Sequence, residues 1–182
     1  MTNQTHSSQP WKTSAFSLVE LMVVVSTLLI GAAVVVPIIR SSYQRDVLNE
    51  AIRGLEGWLL EVSRSPDQNG QTCVVTFTTG TGLGRGSQIA SVSPTSCAST
   101  STLTLPTAQG QTFSVGASGT TVSYTRRNAI TSTSNVEVRV AITGLTGMRC
   151  VRLQAISGLV RMGRNNTSST VASQSCNEWN VL

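Results

Sequence analysis

Residues 16 to 39 form an apolar run, FSLVELMVVVSTLLIGAAVVVPII, in which Glu20 carries the one formal charge. Coiled as an α-helix at about 1.5 Å per residue, its 24 residues reach roughly 36 Å. That length suffices for a hydrocarbon core about 30 Å thick. A cleavable secretory signal has a shorter apolar stretch, followed by a small-x-small site. This run is longer and leads into more helical sequence, so it is expected to stay as a single-pass anchor. Charge does not settle its orientation: Lys12 precedes it alone, while Arg40 and Arg45 follow it.

A second periodicity begins beyond Pro37. Val47, Leu48, Ala51, Ile52, Leu55, Trp58, Leu59 and Val62 recur at three- and four-residue spacing, with Arg45, Asn49, Glu50, Arg53, Glu56 and Glu61 opposite. This predicts an amphipathic helix to about Arg64, ended by Ser65-Pro66-Asp67 and Asn69-Gly70, with its apolar stripe against a sheet. Pro37 lacks a backbone donor and is expected to kink or loosen the combined helix.

From residue 66 the palette changes to Thr, Ser, Val and Gly, as in a small β domain. Strands are expected over 73–79, 88–92, 101–105, 112–115, 121–125, 136–143, 149–156 and 159–162, with glycine turns between them. The alternation in Val136–Ile142 places Glu137 and Arg139 together on a solvated face. Gly80–Gly86 matches neither a dinucleotide fingerprint nor a P-loop, and reads as a flexible hairpin loop. The fold class is therefore α+β. A long N-terminal helix, half transmembrane and half amphipathic, packs on a small antiparallel β head.

Four cysteines, Cys73, Cys97, Cys150 and Cys176, follow the apolar run. None lies in a C-x-x-C pair, and the one histidine, His6, is near the N-terminus, so metal ligation is not expected. An even count in a small β domain fits two disulfides in an oxidising compartment. Three pairings are open, and proximity favours Cys73 with Cys97 and Cys150 with Cys176. After residue 70 there are eight arginines against two acids, a balance that favours polyanionic partners. Arg149, Arg152, Arg161 and Arg164 fall within 16 residues, and Gly163-Arg164-Asn165-Asn166 is read as a polar loop able to follow a phosphate backbone. No pairing of acids, nucleophile or base suggests catalysis. The chain is read as a non-enzyme without cofactor or small-molecule substrate.

The stretch Ala15-Phe16-Ser17-Leu18-Val19-Glu20-Leu21 resembles the processing site of type IV pilins and type II secretion pseudopilins. A 15-residue polar leader, a junction Phe and a Glu at the fifth following position carry the likeness. Alanine stands at position 15, where the family usually has glycine, and Pro37 matches a proline common in these helices. The short-strand pattern is most similar to GspH/FimT-type minor pseudopilins. The resemblance implies four regions: a leader (1–15), a transmembrane assembly segment (16–39), an amphipathic helix (40–65) and a β-rich head (66–182), a lollipop shape.

It further implies a precursor cut between Ala15 and Phe16 by prepilin peptidase, then N-methylated at Phe16. The mature chain would sit in the bacterial inner membrane with a periplasmic head, then enter a pilus or pseudopilus beside other pilins or pseudopilins. Glu20, paired with the amine of a neighbour's Phe16, would set register there, with Pro37 in the same assembly segment. Two further roles are implied: a type II secretion tip subunit, or a minor pilin that captures DNA. The DNA-binding motif of some relatives, Gly-Arg-x-Arg, is matched here by Gly163 and Arg164, with Asn166 in the second arginine's place.

Overall fold

A computed structural model describes residues 17–107, 110–127 and 129–179. The leader and the proposed cut at Ala15 and Phe16 lie outside the described residues. Among the described residues one α-helix, α1 (Leu18–Asn69), is followed by ten strands, with a short 3-10 turn at Thr95–Cys97: β1 (Cys73–Phe77), β2 (Gly80–Leu83), β3 (Gln88–Ser93), β4 (Thr102–Thr104), β5 (Phe113–Ala117), β6 (Thr121–Tyr124), β7 (Val136–Ile142), β8 (Met148–Leu153), β9 (Val160–Asn165) and β10 (Glu178–Trp179). The chain divides into two compact units with a boundary between Arg40 and Ser41.

In the first unit the helix is helical through Pro37, whose missing N–H leaves the Ala33 carbonyl without its usual donor. Glu20 lies in the first turn, where the exposed N–H groups favour a carboxylate. Ser26 and Thr27 return their hydroxyls to the carbonyls of Met22 (2.7 Å) and Val24 (2.9 Å), so neither demands a partner from outside. The helix holds an 18-residue window of mean hydropathy 2.7, none of it buried, long and apolar enough to cross a membrane. Leu18, Leu28 and Ile30 are each about two-thirds exposed or more, so this surface gains no stabilisation within the chain.

In the second unit the amphipathic part of α1 supplies the core. All eight apolar positions from Val47 to Val62 named above are buried. They pack with Val75, Phe77, Phe113, Val138, Val140, Val151 and Leu153 from two antiparallel sheets, ordered β4-β3-β1-β6 and β10-β9-β8-β7-β5-β2. The α+β class read from the sequence holds at this level. The helix runs one turn past the expected stop. Pro66 costs a hydrogen bond, but Ser65 and Pro66 are buried and Asn69 Nδ2 donates to the Ser96 carbonyl (2.9 Å). The Cys73–Cys97 disulfide anchors that loop beside the helix end, and Gly70 (φ 66°) closes the helix in the left-handed conformation.

The glycine stretch expected as a loop instead contributes β2, an edge strand. It pairs Gly80 with Val115 and Leu83 with Phe113 across an irregularity. Its pairing is carried by backbone groups, which leave no trace in a side-chain alternation. Gly54 and Gly57 lie inside the helix, where glycine costs about 1 kcal/mol relative to alanine. A Cβ at either would meet nothing within 4 Å, so close packing inside the subunit does not account for them.

Tyr124 is fully buried in this core, and among the described residues its hydroxyl finds no hydrogen-bond partner. Burial raises its pKa well above the ordinary tyrosine value, because the phenolate would lose its hydration. With the folded pKa raised, its contribution to stability is intact below about pH 10 and declines as pH rises past the unfolded pKa. Tyr124→Phe removes an unsatisfied polar group at nearly constant shape, so a gain of about 1 kcal/mol is expected. Thermal melts at neutral and alkaline pH should show that gain, together with a shallower alkaline decline.

Candidate functional site

The six-stranded sheet sorts its polar residues into two rows, because residues directly opposite in an antiparallel ladder share a face. Val140, Arg149, Arg164 and Glu178 are successive partners across β7, β8, β9 and β10, on the face toward α1. Arg149 is buried there. Its Nε donates to Asn49 Oδ1 of α1 (2.9 Å), and its Nη1 to the Met148 carbonyl (3.2 Å) and Asn166 Oδ1 (3.3 Å). Desolvation lowers its pKa first; the charges of Arg164 and Arg45 add to this, and Glu178 opposes them. Arg164 Nε donates to Glu178 Oε2 at 2.6 Å, a part-exposed charge-assisted pair.

The opposite face carries Glu137, Arg152 and Arg161 in one register row and Arg139, Cys150, Gly163 and Trp179 in the next. The expectation that Glu137 and Arg139 are solvated is corrected: both are buried, and every residue of β7 is. The physical reason is a cover. Residues 166–177 lie over this face, joined to β8 by the Cys150–Cys176 disulfide, and Val171, Cys176 and Trp179 pack with Ala141 and Met148. Two glycines admit the cover. A Cβ on Gly116 would lie 2.3 Å from the Val171 carbonyl oxygen, and one on Gly163 would lie 2.6 Å from the Trp179 ring.

Under the cover Glu137 is fully engaged. Oε2 accepts from Arg152 Nη2 (3.0 Å), and Oε1 from the Cys176 N–H (3.0 Å). The Arg152 guanidinium also lies 3.7 Å over the Trp179 ring. Arg139 Nη1 donates to the Gln174 carbonyl (2.8 Å), and its buried Nε has no partner among the described residues. The Glu137 oxygens and the Cys150 and Cys176 sulfurs converge within 4.8 Å, the composition of a small metal site. The sulfurs are bonded to each other, which removes the thiolates that would bind an ion, and each carboxylate oxygen already accepts a hydrogen bond.

The loop expected at Gly163–Asn166 is largely strand, since β9 continues through Asn165. Asn165 is buried. Its Oδ1 accepts from the N–H groups of Thr167 (3.0 Å) and Ser168 (3.1 Å) and from Thr167 Oγ1 (2.8 Å), and its Nδ2 donates to the Ser175 carbonyl (3.0 Å). Asn165 thus shapes the turn that starts the cover. Of the four clustered arginines, Arg149, Arg152 and Arg164 hold internal partners, while Arg161 is half-buried with no ion pair among the described residues. Glu20 and Pro37 are exposed on the apolar part of α1, on the other side of the unit boundary from these arginines. Sequence reading missed the roles of Trp179, Glu178 and Glu137; the one available signal was the strong charge-pairing potential of two lone acids among eight arginines.

Compared with protein-family models, curated proteins and solved structures, the chain finds no match.

Proposed function

We propose that this chain is a membrane-anchored structural subunit of a filament, a minor type IV pilin or pseudopilin, and not an enzyme. The observation that supports this best is the apolar part of α1. Its described side chains are exposed, and its one carboxylate, Glu20, stands in the first turn. In a lone anchor the helix N-terminus is the one group that favours this acid, whose burial in lipid is costly. In a bundle of such helices it gains a partner. After cleavage behind Ala15, the new amine of Phe16 on a docked neighbour neutralises Glu20 of the incoming subunit, and the pair sets the register. The subunit waits in the inner membrane with its disulfide-braced unit in the periplasm. The engaged state of Arg149, Arg152 and Arg164 lends little support to a DNA-capturing role, which needs cations available to phosphates.

The test is expression in a host that makes prepilin peptidase and filaments. The mature chain is expected to begin at N-methylated Phe16 and to co-purify with sheared filaments. Glu20→Ala is expected to be processed and oxidised normally, yet to fall at least tenfold in the filament fraction. Wild-type levels of Glu20→Ala in filaments would sink the docking role of Glu20, and a wild-type chain left uncut before Phe16 and absent from filaments would sink the reading itself.

A further inference from the structure

Two features work against stability in the subunit and find no reason inside it. The first is Ile156, at the turn between β8 and β9. It has φ of 66°, the left-handed region that a β-branched residue rarely adopts, and its side chain is 72% exposed. The turn is held in that shape: the Ile156 carbonyl accepts from the Ile130 N–H (3.2 Å), and the Ala155 N–H donates to Asn135 Oδ1 (2.9 Å). A strained backbone that the surroundings enforce is characteristic of binding sites. Leu159, 49% exposed on the same turn, extends the apolar projection. The neighbouring turn after β6, joined through Ile130, carries exposed Arg126 and Arg127.

The second feature is the glycine pair in α1. Gly54 opens a groove of about 340 Å³ between the helix and the end of β4, lined by Glu50, Ala51, Leu103, Leu105 and Pro106. A side chain at Gly54 would close it, and the space above Gly54 is empty. Its rim is acidic on one side, with Asp46 and Glu50, and carries Arg53 further along.

We propose that the Ile156–Leu159 turn of one subunit docks into the Gly54 groove of a second copy, with Arg126 and Arg127 facing Asp46 and Glu50. The projection meets a groove that mixes Leu103, Leu105 and Pro106 with Thr104 and Thr107, and the flanks match in charge. They are different surfaces, so the contact is heterologous and propagates head to tail. This rests on the filament reading and specifies a contact between the periplasmic units that would serve it.

The experiment is sedimentation equilibrium of the full chain in detergent micelles. Wild type is expected to form a concentration-dependent series of oligomers. Ile156→Asn keeps a residue that tolerates this φ and removes the apolar hook; Gly54→Trp fills the groove from open space. Each is expected to weaken association at least tenfold while melting no lower than wild type. Mixed in equal amounts, the two variants retain one intact contact between them and should form dimers and nothing larger. Ile156→Asn oligomerising like wild type, or a mixture that stays monomeric, would overturn the contact while leaving the filament reading in place. A wild-type chain that stays monomeric also overturns this contact. It leaves the filament reading to the filament-fraction test, because the micelle covers the apolar helix and the uncut chain lacks the Phe16 amine.

Discussion

Glu137→Ala is expected to destabilise the second unit by about 3 kcal/mol, the low end of what breaking a buried ion pair costs. The low end applies because the Arg152 side chain is 28% exposed and water can recover part of its hydration, whereas Glu137 is 7% exposed. The loss has two parts. Arg152 is left without its anion, and the Cys176 N–H is left buried without an acceptor. At about 2–4 °C per kcal/mol for a domain of this size, the melting temperature should fall by roughly 6–12 °C. Glu137→Gln keeps an acceptor for the Cys176 N–H and should cost less. Limited proteolysis should cut first within residues 166–177, because the pair holds the cover. A change under about 1 kcal/mol for Glu137→Ala would mean that the cover is held by packing and the disulfide alone.

The helix core was legible because its physics is local. Residues three and four apart share a helix face, so Val47 through Val62 announced their burial in their spacing. The strand alternation in β7 was equally visible, but alternation reports two faces, not what lies on the second one. Whether Glu137 and Arg139 meet water depends on a segment some 30 residues later, and on Gly116 and Gly163 leaving room for it. Nothing in the local pattern of β7 carries that information. The arginines illustrate the same limit. Their number suggested a polyanion surface, whereas the register places Arg152 beside Glu137 and Arg164 beside Glu178. Two acids neutralise two of the clustered cations, and amide and carbonyl oxygens satisfy Arg149. Short elements were lost for another reason: β10 is two residues long and β2 is half glycine, so neither presents a hydrophobic period.

Cys150→Ser with Cys176→Ser should cost about 3.5 kcal/mol, the chain-entropy value for a closed loop of 26 residues. The consequence is local before it is global. The bond joins a central strand to the cover, so its loss frees residues 166–177 to leave a face that carries Glu137, Arg139 and Arg152. Those groups then meet water, and Trp179 loses its place on Arg152. This variant and Glu137→Ala release the same segment. Their effects are therefore expected to be strongly non-additive, with the triple variant losing at least 1 kcal/mol less than the two losses combined. Chemical denaturation of the four proteins measures this directly. Strict additivity would show that the ion pair and the disulfide hold separate structures, and that the cover is not the cooperative element joining them.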